Sequence, residues 1–190
     1  MHLKELKNHW KTIREELDDL PMNVFISDKP RPTGEWEGSD VLRQIVSDYH
    51  SGKCGWLKGG QTHLQEEWIS WPIIWESKIV LGNCLKCPET YKLLSKIPGV
   101  RIAGFALMKG GVKLEEHVDH VGDDYKFTYH LGLKCPDDCY LHHSKLGDIK
   151  EEDGKHIIMS SRFPHWAENG SDEDRIILYL EYYNSPNHGC

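Results

Sequence analysis

His117 and Asp119 stand two residues apart, His165 follows further along the chain, and Arg175 comes ten residues after that. Two imidazoles and one carboxylate on one face, with the opposite positions open, suit non-haem Fe(II) and oxygen chemistry. The segment from Val112 to Asp119 is expected to be a strand entered from a Gly110-Gly111 turn. Strand side chains alternate faces, so His117 and Asp119 point the same way, about 7 Å apart along the chain. A third ligand must come from another strand, and His165 is the best-placed candidate. Arg175 opens the apolar run Ile176 to Leu180, just after the turn-forming stretch Glu168-Asn-Gly-Ser-Asp172. A hairpin there brings Arg175 back beside the metal edge of the sheet. A guanidinium can grip a carboxylate through two parallel N–H bonds. A 2-oxo-acid co-substrate needs such a partner if its keto-acid end chelates iron and its far carboxylate meets the arginine.

An ordered set of motifs surrounds these residues: Phe105-Ala-Leu-Met-Lys-Gly-Gly111, the His117 motif, His130-Leu-Gly-Leu133, Gly154-Lys-His-Ile-Ile158, and Phe163-Pro-His165 through Arg175. The set resembles the aspartyl/asparaginyl β-hydroxylases, a branch of the 2-oxoglutarate/Fe(II)-dependent dioxygenases. The resemblance is good over residues 70–183 and thin before that. It implies a double-stranded β-helix, that is, a jelly-roll or cupin-like core, with Fe(II), 2-oxoglutarate and O2 as the reacting set. It implies hydroxylation of an unactivated C–H, on an Asp or Asn side chain of a peptide or protein, while relatives act on lipid acyl chains or free amino acids. His117, Asp119 and His165 are then the metal ligands and Arg175 the co-substrate anchor. His130 and Lys126 are further candidates for holding the co-substrate. The pattern departs from the family at two places. Thr128 stands where the branch usually has an arginine, leaving Lys126 as the nearest cation, and Ala106 stands where a serine often helps. The first-ligand loop can also be read as His120-Val-Gly122, which gives a site without a carboxylate. A cupin-like metal protein without oxygenase activity, and a binding module held by cysteine-bound zinc, are the readings from other classes.

Elements must position these groups. Leu3, Leu6, Trp10, Ile13, Leu17 and Leu20 recur at helical spacing, and Pro21 ends that helix. Ser39 is expected to cap a second helix through His50, closed by Gly52. Residues 51–71 read as irregular, and Trp75 to Leu81 as a strand. Pro88 starts a short helix ended by Pro98-Gly99. From Arg101 onward the spacing predicts short strands at 101–108, 112–119, 125–133, 138–143, 156–160 and 175–183, an all-β core. The chain reads as one domain, with a helical and looped amino-terminal support over 1–70 and the β core over 71–185.

The chain has 190 residues, a net charge of −7, and four Phe, seven Trp and eight Tyr. That is enough for a real core. The acidic balance argues against a general nucleic-acid binder, whose affinity comes from neutralising phosphates. No stretch approaches ~18 apolar residues, so no membrane span is expected, and the amino terminus lacks a signal-peptide core. A cytoplasmic protein is the expectation. Among the six cysteines, Cys84-x-x-Cys87 and Cys135-x-x-x-Cys139 could together make a zinc site. Reduced, partly buried thiols are the plainer reading. His142-His143, next to Cys139, raise the same question.

Overall fold

The computed structural model describes residues 2–27, 40–59, 67–119 and 126–183. The amino-terminal apolar stripe forms two helices rather than one, α1 (His2–Asn8) and α2 (Trp10–Asp18). Both lay the stripe on one core, where Leu6, Ile13 and Leu17 are almost wholly buried. The next helix, α3, spans Asp40–His50; Ser39, its expected cap, lies outside the described residues. Two short helices follow, α4 (Leu81–Cys84) and α5 (Pro88–Leu94). Pro88 sits in the first turn of α5, where its missing N–H costs nothing. The Glu16 carboxylate on α2 accepts from the Glu89 and Thr90 N–H groups at 2.8 Å each, so one helix caps the other.

The strands in chain order are β1 (Leu57–Lys58), β2 (Trp68–Trp75), β3 (Lys78–Ile79), β4 (Val100–Met108) and β5 (Lys126–Lys134), then β6 (Cys139–His143), β7 (Gly147–Lys150), β8 (His156–Met159), β9 (His165–Asn169) and β10 (Arg175–Tyr183). Strand β1 and the first half of β2 fall in the stretch expected to be irregular. Pro72 hides β2 in the sequence, because proline removes a ladder donor. Here it sits where the β2–β4 register shifts, the kind of place a strand tolerates it. The large sheet runs β1-β2-β4-β10-β5-β8, with β3 on β2, and the small sheet runs β7-β6-β9. Every pairing between these strands is antiparallel.

Alternation gives the large sheet two different faces. Phe105, Leu107, Leu131, Leu133, Leu178 and Leu180 pack in the core shared with α1, α2 and α5. The intervening residues, among them Ala106, His130 and Tyr179, look the other way into a cavity whose far wall includes Leu141 and Ala167 of the small sheet. Met108, Leu114, Leu141, Met159 and Ala167 close the seam between the sheets. The result is a mainly β protein with flanking helices and a double-stranded β-helix, or jelly-roll, core.

Two local expectations are corrected. The 112–119 segment is not a regular strand. It runs beside β9 as isolated antiparallel bridges, Lys113 opposite Glu168 and His117 opposite His165, so the register slips by one between them. Nor do β9 and β10 form a hairpin within one sheet. They belong to different sheets, and the turn between them is a corner. Buried Asn169 holds that corner by donating to the carbonyls of Met108, Lys109 and Glu173 at 2.7–3.2 Å.

Candidate metal centre

The bridge that joins the 112–119 segment to β9 also builds the site. His117 N–H donates to His165 O at 3.1 Å, and His165 N–H donates back at 3.0 Å. Residues paired directly across two strands present their side chains on the same side, and the two imidazole centroids lie 4.4 Å apart. Asp119, two residues on, turns to the same side. Its carboxylate oxygens lie 3.9 Å from His117 Nε2 and 3.8 Å from His165 Nε2. One ligand atom from each of the three lies within 4.8 Å of the others, and theirs is the one such group among the described residues.

Backbone contacts orient both rings. His117 Nδ1 is 2.7 Å from Glu115 O, and His165 Nδ1 is 2.9 Å from Phe163 O. A carbonyl only accepts, so each Nδ1 carries the hydrogen and each Nε2 carries a lone pair toward Asp119. Outer contacts of this kind commonly fix metal-binding histidines. Burial, with His117 beside it, holds His165 below its ordinary pKa, so its ring is neutral and able to ligate near neutral pH. The donor set of two imidazoles and one carboxylate fits Fe(II).

The three residues open into a cavity of about 240 Å³, lined mainly by apolar groups such as Trp68, Ala106, Leu114, Leu141 and Met159. Its polar lining outside the ligand set is Ser70, His130, Tyr179 and Glu181, and no Lys or Arg lines it among the described residues.

Arg175 is 1 % exposed and does not reach this cavity. Its Nε and Nη2 donate to the two carboxylate oxygens of Glu151 at 2.6 Å each, a bidentate pair buried in the core. The same carboxylate accepts from His130 Nδ1 at 2.9 Å. Burial alone raises Glu151, yet the Arg175 charge and the His130 hydrogen bond outweigh it and hold its pKa at about 2. Burial lowers His130. A neutral ring that donates from Nδ1 leaves Nε2 as an acceptor.

Lys126 lies on the same face of β5 as His130 but four residues away. It is 2 % exposed, and its Nζ makes no hydrogen bond, with Glu181 Oε2 at 3.5 Å. Glu181 also accepts from Arg101 at 2.9 Å and from the Tyr179 hydroxyl at 2.7 Å. Arg101, Lys126 and Glu181 line a second cleft of about 620 Å³, whose apolar wall includes Leu42, Val46, Trp75 and Val80. Ile102, Asp119 and Glu181 belong to both cavities. Thr128 packs beside the Tyr179 phenol.

The sequence reading therefore brings together His117, Asp119 and His165, with His130 lining the same cavity. It leaves Arg175 paired with Glu151 outside the cavity lining, and Lys126 in the neighbouring cleft. His120 and Gly122 lie outside the described residues. Glu151 was missed because Lys150-Glu-Glu-Asp-Gly154 reads as a solvated turn. Glu181 had a signal: it is the single charge inside the otherwise apolar 176–183 run.

The cysteines do not assemble a metal site among the described residues. Cys84 and Cys87 lie in the helix-side core, while Cys139 is on β6 and bonds Asn169 Oδ1 at 3.3 Å. Burial pushes the Cys84 and Cys139 thiols up to about 11. His142 sits between Asp148 and Glu168 and stacks on Trp166. His143 uses both nitrogens on backbone groups.

Among curated proteins, the chain is 27 % identical over 127 residues to an ornithine lipid ester-linked acyl 2-hydroxylase of Rhizobium tropici, covering 60 % of this chain and 43 % of that one. It is 29 % identical over 129 residues to the aspartate beta-hydroxylase domain-containing protein 2 of Mus musculus, covering 62 % and 36 %. The matched parts thus span less than half the length of these relatives. A similar solved structure is the DMSP lyase DddQ from Ruegeria pomeroyi, with a TM-score of 0.46 and 10 % identity over 86 % of this chain and 70 % of that one. The model of the aspartyl/asparaginyl beta-hydroxylase family matches residues 7–185. With nearly its whole length inside that match, the chain belongs to the aspartyl/asparaginyl β-hydroxylase family.

Proposed function

We propose that this chain is an Fe(II)-dependent hydroxylase that uses O2 and a 2-oxo acid to oxidise an unactivated C–H bond. The substrate we propose is an Asp or Asn side chain of a peptide or protein. The observation that carries the reading is the convergence of His117, Asp119 and His165 at the mouth of an apolar cavity.

Iron bound there supplies oxygen activation. The chain's own residues do the rest. The Glu115 and Phe163 carbonyls fix the two imidazoles with Nε2 toward the ion. Asp119 contributes negative charge to the ligand set, which favours a divalent ion. Leu114, Leu141 and Met159 keep the inner side of the site dry, which limits side reactions with water. The second cleft meets the site at Asp119 and is the natural approach for a substrate.

2-Oxoglutarate is the co-substrate that the resemblance implies. Its keto-acid end suits a metal with open positions. Glu151 takes Nε and Nη2 of Arg175, and Nη1, buried and without a hydrogen-bond partner, is the donor left for the co-substrate's far carboxylate.

An acyl chain is the second reading for the substrate. The apolar wall of the second cleft favours it, as does the likeness to a relative named as an acyl hydroxylase.

The test uses purified protein with Fe(II), O2, a 2-oxo acid, and candidate peptides or acyl lipids. Carbon dioxide release together with one added oxygen atom on a substrate supports the reading. Iron that fails to bind, or a cupin-like protein that binds it and turns nothing over, overturns it.

A further inference from the structure

We propose that the face carrying Ile79, Leu81 and Leu85 seats this chain on the surface of an anionic lipid bilayer, with the mouth of the second cleft turned toward the lipid. The docking stands on that face alone. Its use, delivery of an acyl chain to the metal group, rests on the second substrate reading above.

Three of the eight large apolar side chains exposed among the described residues fall between positions 79 and 85: Ile79 is 50 %, Leu81 57 % and Leu85 71 % exposed. Scattered singly, such residues need no explanation; grouped, they point to a contact. Leu81 and Leu85 stand one turn apart on α4, with Leu85 N–H donating to Leu81 O at 3.1 Å, so they share a face. Ile79 precedes them on β3.

The fold holds this group outward. Gly82, Asn83 and Cys84 form the buried side of α4. A methyl group at Gly82 would stand 2.5 Å from Lys53 O, so the helix lies directly on that backbone. Asn83 pins it further, accepting from Gly55 N–H at 2.9 Å and donating to Pro72 O at 2.8 Å. Leu81 and Leu85 therefore cannot roll inward. Strand β3 is set by a tight turn in which Glu76 and Ser77, neither a glycine, take positive φ values of 49° and 60°. Such a turn persists only where its surroundings hold it, and Ser77 N–H donates to Arg101 O at 2.8 Å.

Charge selects the occupant. Lys78 and Lys86 flank the stretch, both are exposed, and neither has an ion-pair partner among the described residues. Glu76, two residues before Lys78, is taken by Arg101 at 2.6 Å. Apolar side chains between unpaired ammonium groups match the boundary of an anionic bilayer, where leucines enter the acyl layer and lysines meet headgroup phosphates. The chain as a whole is acidic, with a net charge of −7, so this cationic face also sets which way it turns toward such a surface. Lys78, Ile79 and Val80 line the second cleft as well, and that cleft reaches Asp119. The docking face and the passage to the metal group are thus continuous.

The experiment is co-sedimentation of the full chain with vesicles of phosphatidylcholine alone and of phosphatidylcholine mixed equally with phosphatidylglycerol. We expect binding to the mixed vesicles to be at least about tenfold tighter than to the plain ones, since each lysine adds to the attraction. Added salt is expected to weaken it by screening. Leu81→Asn with Leu85→Asn is expected to weaken binding to the mixed vesicles by about tenfold or more. Lys78→Gln with Lys86→Gln is expected to erase the preference for the anionic lipid. The two leucines line neither cavity, so circular dichroism and Mn(II) binding of their variant are expected to match the native chain, which separates lost docking from lost fold. No binding to either vesicle overturns the proposal. So does equal binding to both, or full binding by the leucine variant. If that variant fails to fold, the native chain's choice between the vesicles and its response to salt decide. Failure of Mn(II) to bind the native chain is a different result: it overturns the metal-site reading and leaves the docking standing, because the vesicle assay needs no metal.

Discussion

Glu151 and Arg175 grip each other through two 2.6 Å hydrogen bonds, and both side chains are almost wholly withdrawn from water. A carboxylate held this way makes the fold sensitive to acid. Its folded pKa of about 2 lies below its ordinary value of 4.5. The contribution is therefore fully present above pH 4.5 and is lost as the pH falls from there toward 2. Its size is about 3 kcal/mol. Urea unfolding across that range is expected to show the loss in the native chain and a flatter profile in Glu151→Gln. Equal slopes in the two proteins would rule the linkage out.

Removing one partner of this pair leaves a buried charge alone. Arg175→Met is expected to cost about 3–5 kcal/mol, while the double change Arg175→Met with Glu151→Leu recovers most of that. Chemical denaturation of the two variants checks it. A double variant as unstable as the single one would mean that the pair has a further structural duty.

The ligand set predicts a graded response. His165→Ala is expected to abolish Mn(II) binding while the fold persists, and Asp119→Ala to weaken it by at least about a hundredfold. Equilibrium dialysis with metal analysis measures both. Full affinity in Asp119→Ala combined with none in His120→Ala would move the first ligand to His120.

Metal binding should itself stabilise the folded chain. At a free Mn(II) concentration of about 100 times Kd the gain is about 2.7 kcal/mol. Thermal melting with and without Mn(II) is expected to show this in the native chain and not in His165→Ala. A similar rise in both proteins would place the ion elsewhere.

Gly132 explains its own place in the His-Leu-Gly-Leu motif. A methyl group there would stand 2.2 Å from Glu152 O, a backbone atom that cannot swing aside. Gly132→Ala is expected to lose about 2 kcal/mol or more and to loosen the turn that carries Glu151. Denaturation gives the first effect. A flattened acid profile of the kind expected for Glu151→Gln gives the second.

The grouping of His117 with Asp119 was legible because alternation on an extended segment is a local rule, and both residues obey it even where only isolated bridges form. Arg175 was legible as a residue but not in its surroundings. Its partner lies 24 residues away in sequence, in a charged turn whose burial depends on how the sheets close. β9 escaped notice because His165-Trp-Ala-Glu-Asn169 is short and mixed in polarity. β10 was plain, since its residues are almost all apolar and buried on both faces. The expected hairpin failed for a topological reason: a turn signal in sequence does not say whether the chain returns to the same sheet or crosses to the facing one.

The inner chamber and the outer cleft are divided by very little. Ile102, Asp119 and Glu181 face both sides, and of these Ile102 is the one apolar residue. Its bulk would then govern how deep a guest can slide toward the group formed by His117, Asp119 and His165. Trimming that single branched side chain would widen the passage between the two spaces without touching either charged neighbour.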